Sequence, residues 1–220
     1  MSVALDAGVA EPEVLPLRLL RDERSVDAAV GDVAGASAMI GQLSAIVVAG
    51  FAAHALTVAA TAWPSLGPWA ALRLGGAWWI ASTVGFFAAI CAGLPSYWFY
   101  GVVARIEAPA WRLAVELVRV QAVGAVVLVG VLPFWLVVAL GMHLLGEDVY
   151  RNALWMGYTY SLPFQASLPG LLGLIRVFLR MRDAVGETGW LPPLGLAACW
   201  VVLFLYTAPM AIWSLFNALG

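Results

Sequence analysis

The chain contains no lysine; every one of its 11 basic residues is arginine. A lysine Schiff base is therefore excluded, and with it retinal-pigment and aldolase-type chemistry. Charge of either sign is scarce. Charged residues make up 11% of the sequence, where a soluble domain carries about a quarter. Too little polar surface remains to face water, and a bilayer is the solvent that tolerates the rest. The formal net charge of -2 leaves no basic footprint, so nucleic acid is not expected as a partner. The two cysteines, Cys91 and Cys199, both fall within apolar runs. They read as small buried hydrophobes rather than a disulfide or a metal site. Catalytic signatures are missing too: there is no glycine-rich phosphate loop, no GxSxG elbow and no His/Glu metal spacing. Glu147 and Asp148 are neighbours that point different ways on any regular element. No enzyme activity, metal or cofactor is expected.

Apolar and aromatic residues are abundant. The sequence is 63% hydrophobic, with a mean hydropathy of +0.93 and 11 tryptophans. Five apolar segments each approach the ~20 residues that a spanning helix needs. They cover residues 39–62, 74–99, 117–140, 153–177 and 194–216. The first is expected to end in a turn at Trp63-Pro64. The second has Trp78 and Trp79 near one end and Tyr97, Trp98 and Tyr100 near the other, as aromatic belts at two headgroup levels require. The first segment follows more than 30 mixed residues and is too long for a cleavable signal core. The expected fold is an all-α integral membrane bundle of about five transmembrane helices.

Residues 1–36 differ from all that follows, with seven acids and three arginines. They read as a cytoplasmic tail whose stretch from Val14 forms a short amphipathic helix at the interface, and residues 37–220 as the transmembrane domain. Arginine placement sets the orientation. Arg18, Arg21, Arg24, Arg105, Arg112, Arg119, Arg176, Arg180 and Arg182 share one side of a five-span topology, and only Arg73 and Arg151 lie on the other. Cytoplasmic loops retain the positive charge. The N-terminus is then inside and the C-terminus outside. Arginine in place of lysine, with many Ala, Val, Leu and Gly, fits a GC-rich bacterial genome and hence the bacterial inner membrane.

Three groups of polar residues are candidates for function. Arg112, Glu116 and Arg119 fall on one helical face at the entry to the third span. They suit a salt-bridged anchor, or a contact for anionic lipid or a partner. His54 and His143, the only histidines, could ligate a b-type haem if they faced each other at one depth. Their positions along the first and third spans differ in depth by about 12 Å at 1.5 Å per residue. The better expectation is one histidine hydrogen-bonded inside the bundle and one at the interface. The fourth span carries Tyr158, Thr159, Tyr160, Ser161, Gln165 and Ser167 between two prolines. Helix-to-helix hydrogen bonding accounts for them. A polar path along Tyr158, Tyr160, Ser161 and Gln165, in a small transporter or permease component, is the alternative.

The layout resembles the Yip1-like membrane proteins, in particular bacterial members of that broad family. The shared features are the charged lead-in LRLLRDERSVDAAV, five spans, the run LPSYWFYG at 94–101 closing the second span, and the amphipathic segment ARIEAPAWRLAVELVRV before a proline-bearing third span. The resemblance implies a helical bundle without known catalysis that acts through partners. Both lines lead to one functional expectation: a non-enzymatic subunit, scaffold or assembly component of a larger membrane complex, in contact with lipid and with other membrane subunits. A haem-binding electron-transfer subunit is the lesser alternative.

Overall fold

A computed structural model describes residues 33–103, 109–170 and 191–219. These residues form five helices: α1 (Val33–Leu66), α2 (Pro68–Val103), α3 (Ala110–Leu144), α4 (Ala153–Ala166) and α5 (Leu191–Leu219). Apart from short turns they are helical throughout. Three helices, α1, α2 (over Pro68–Ser96) and α3, are long and apolar enough to cross a membrane. At 1.5 Å per residue α1 and α3 each extend about 50 Å, more than the ~30 Å hydrocarbon core of a bilayer. α4, with 14 residues, spans only about 21 Å. Residues 171–177 of the expected fourth span, the lead-in helix from Val14 and most of the arginines expected on the cytoplasmic side lie outside the described residues.

The helix ends depart from the expected boundaries for identifiable reasons. α1 runs through Trp63-Pro64 to Leu66 and does not turn there. Pro64 lies in its last turn, where it forfeits the bond to the Ala60 carbonyl and its ring crowds that oxygen, but only two further residues of helix follow. The reversal comes at Gly67, whose φ of +78° is the left-handed conformation that glycine adopts without strain. Pro68 then opens α2 at a position where no N–H is needed. α3 ends in a Schellman motif: the Glu147 N–H donates to the Met142 carbonyl, the Gly146 N–H donates to that of His143, and Gly146 has φ +84°. α4 starts where the Asn152 side chain accepts from the Trp155 N–H at 3.0 Å.

α1 packs most extensively on α3 and α2, α2 also packs on α5, and α4 leans on α3. The core includes Leu43, Val47, Phe51, Phe86, Leu117 and Leu128. Small residues set the closest approaches. A Cβ on Gly75 would meet the Ala55 carbonyl at 2.8 Å, so this glycine serves contact between α1 and α2 of the same chain. The Ser65 hydroxyl donates to the Asp148 carboxylate. That bond ties the α1–α2 turn to the α3–α4 loop at one end of the bundle. Cys91, expected to be buried, is exposed on α2.

Candidate functional site

Proline creates the central polar site. An α-helix bonds each N–H to the carbonyl four residues earlier, and Pro163 has no N–H to offer. The carbonyl of Thr159 is thereby left without its helical donor. His54, on α1 and fully buried, supplies the replacement: its Nε2 lies 3.1 Å from that oxygen. On the other side of the ring, Trp78 of α2 donates its indole N–H to Nδ1 at 3.1 Å. Nδ1 is therefore the acceptor and Nε2 carries the hydrogen, a tautomer assigned from its partners. Trp135 of α3 donates to the Thr159 hydroxyl at 3.2 Å, which itself donates to the Trp155 carbonyl at 2.9 Å. One buried network joins four helices.

Aromatic rings pack around it. Trp135 stacks on Trp155 with centroids 3.9 Å apart and planes at 11°, and on Tyr158 at 4.9 Å. Trp78 meets Tyr160 at 4.5 Å and Phe216 of α5 at 5.9 Å. Both imidazole nitrogens are engaged with protein, so an iron ligand at His54 would have to displace Trp78 or the Thr159 carbonyl. His143 is exposed at the end of α3, beside the α3–α4 loop. The two histidines are not brought together.

The fourth-span residues divide between two faces. Tyr160 points inward against Trp78 and Phe216. Tyr158 and Gln165 are exposed, and the half-buried Ser161 lies between them. Gln165 donates to the Ser161 hydroxyl at 2.9 Å, and Ser161 donates to the Tyr158 carbonyl at 2.8 Å. Spacings of three, four and seven residues place these three in a row along the outer side of α4.

Glu116 and Arg119 are buried, each 5% exposed, with 3.6 Å between the charged groups. They lie in the half of α3 where every residue from Val115 to Ala125 is buried, the environment of a helix that is apolar on all sides. Burial requires such charges to be paired. Arg112, the third member of the group, is half-buried. Two residues on, Gln121 is 1% exposed, with its Oε1 3.3 Å from the Ser167 hydroxyl. That hydroxyl has one hydrogen and lies closer, at 2.8 Å, to the Pro163 carbonyl. Exchanging the amide oxygen and nitrogen lets Gln121 donate to Ser167, whose own hydrogen is then free for the Pro163 carbonyl. Among the described residues, no three His, Cys, Asp or Glu side chains are grouped to hold a metal.

At the loop end, Asp148 accepts from Ser65 and pairs with Arg151 at 3.2 Å. The Ser65 hydroxyl, helped by the Arg151 backbone and charge, holds this carboxyl below its ordinary value against an opposing effect of desolvation. A depressed folded-state value means the contact stabilises the loop at pH above the unfolded carboxylate range, about 3.9. The stabilisation is lost as pH falls through the lower, folded value. An NMR titration of the Asp148 side-chain carbon should therefore show a midpoint under about 3.9, and Ser65→Ala should raise it. A midpoint unmoved by Ser65→Ala would refute the assignment.

No family model, curated protein or solved structure matches the chain. Function must then be argued from the residues. The interior network was visible in the sequence only as a proline four residues after a threonine, plus one histidine inside an apolar span. Neither signal points to the other, because the pairing joins residues 54 and 159 across the bundle.

Proposed function

We propose that the chain is a non-catalytic, multi-pass subunit or scaffold of a membrane protein complex. It crosses the bacterial cytoplasmic membrane five times, with its N-terminus inside and its C-terminus outside. The arginine asymmetry, the uncharged sequence of α5 and the Yip1-like layout support this placement. The outward row Tyr158, Ser161 and Gln165 carries the assembly reading. Inside the bundle His54, Trp78, Trp135 and Thr159 are occupied in joining helices, whereas this row presents an amide and a phenol to the outside of the bundle. An amide facing hydrocarbon is unfavourable, and a polar side chain of a neighbouring transmembrane helix relieves it. Tyr160, the remaining member of the alternative path, is packed inside against two rings rather than beside the other three.

A photo-crosslinking residue at position 165, in native membranes, should yield a discrete adduct with a second polypeptide. The same residue at Val137, 68% exposed on α3, should give none. Gln165→Leu should weaken recovery of that partner by about threefold to thirtyfold, the range for interhelical hydrogen bonds in membranes. Lipid adducts alone at position 165 would refute the assembly face.

A further inference from the structure

α1 and α3 approach closely at Gly50 and Ala125, and toward the loop end the same two helices enclose a cleft of about 460 Å³. Its walls are mainly apolar: Pro64 from α1, Leu136 and Leu140 from α3, and Val149 from the loop. Leu136 and Leu140 are 40% and 58% exposed, so the cleft opens sideways onto the outer surface of the bundle. Its polar groups gather at the loop end, where His143, Glu147 and Asp148 line the rim. Asp148 is engaged by Ser65 and Arg151. Among the described residues Glu147 has no salt-bridge partner. The Arg151 side chain, outside the cleft but joined to its rim through Asp148, is 80% exposed.

We infer that this cleft binds an aminophospholipid with a primary ammonium headgroup. One acyl chain lies along Leu136 and Leu140, the ammonium meets Glu147 and the His143 ring, and the phosphodiester lies toward Arg151. Three features select this occupant: an apolar slot open to the bilayer, a carboxylate available at its headgroup end, and a guanidinium beside it. Charge alternates along the rim as it does along a zwitterionic headgroup. A primary ammonium donates hydrogen bonds to carboxylate and imidazole, and a quaternary one has no hydrogen to donate. An anionic headgroup without an amine meets Glu147 with like charge. The inference shares the membrane placement proposed above and is independent of any partner at α4.

Native mass spectrometry of the full chain, with phosphatidylethanolamine, phosphatidylcholine and phosphatidylglycerol of identical acyl chains, tests it. One ethanolamine lipid should bind about tenfold more tightly than the choline lipid, as one charge-assisted hydrogen bond predicts. Glu147→Gln, at an exposed loop position, should abolish that preference. Ala60→Phe, at an exposed cleft residue, should weaken binding of the ethanolamine lipid by filling the slot. Equal binding of all three lipids would report membrane residence without this site and overturn the proposal. So would a preference that survives Glu147→Gln. Binding of dodecylammonium with no ethanolamine lipid bound would assign the cleft to a single-chain amine instead.

Discussion

Replacing His54 with leucine should destabilise the bundle by about 2–5 kcal/mol, the cost of leaving two buried polar partners unmade. Leucine fills much of the same space, so the loss is chiefly in hydrogen bonding. The Trp78 indole N–H loses its acceptor and the Thr159 carbonyl loses its donor. The second loss has a specific remedy. Pro163→Ala restores an N–H four residues after Thr159, and the helix can then satisfy that carbonyl itself. Pro163→Ala should consequently do more for the His54→Leu background than for the native protein. The coupling expected for groups sharing one acceptor is about 0.5–3 kcal/mol. Unfolding in detergent, followed by tryptophan fluorescence in all four combinations, measures it. Additive effects would show that His54 does not compensate for the proline. Trp78→Phe leaves only the Nδ1 lone pair unmade, so its cost should divide between that bond and the space it opens beside Tyr160 and Phe216.

α1, α2 and α3 were legible because each is an apolar run long enough for a bilayer, and that signal does not depend on neighbours. Their ends were not, because capping decides them. A hydropathy pattern records where apolar residues stop, whereas the chain turns where Gly67 and Gly146 adopt positive φ and Asn152 caps α4. Pro64 looks like a breaker only until its place in the final turn of α1 is known. Glu116 and Arg119 read as headgroup anchors because charged residues near helix ends snorkel. Their burial depends on how α3 is placed against its neighbours: Val115 to Ala125 are enclosed on every side, and a helix with apolar residues all round reads equally as a buried helix or a membrane span. The division of α4 into an inner face at Tyr160 and an outer row at Tyr158, Ser161 and Gln165 depends on how that helix is rotated against α2 and α3. A stretch polar on several sides does not encode that rotation.

Gly50→Leu should be the most damaging glycine substitution in α1, at about 3 kcal/mol or more, the upper part of the range for overpacking. A Cβ added at Gly50 would lie 2.7 Å from the Ala125 Cβ and 3.2 Å from its Cα. Those atoms belong to a helix backbone and its shortest side chain, so no rotamer change relieves the clash. α1 and α3 must move apart, and the core residues Leu43, Val47 and Leu128 on the same two helices loosen with them. Gly41, one face away on α1, is exposed with nothing within 4 Å of its would-be Cβ. Gly41→Leu should be neutral or slightly stabilising, since leucine is the better helix former by up to about 1 kcal/mol. The decisive variant transfers the methyl group across the interface. Gly50→Ala alone should destabilise, and Gly50→Ala with Ala125→Gly should recover part of the loss, because the 2.7 Å Cβ–Cβ clash is gone while the backbone oxygen of residue 125 stays 3.1 Å away. Denaturation in detergent reads all four proteins. If the exchanged pair is no more stable than Gly50→Ala alone, the α1–α3 contact does not set the spacing of these helices. Recovery would establish that a single glycine–alanine contact fixes how closely α1 and α3 approach.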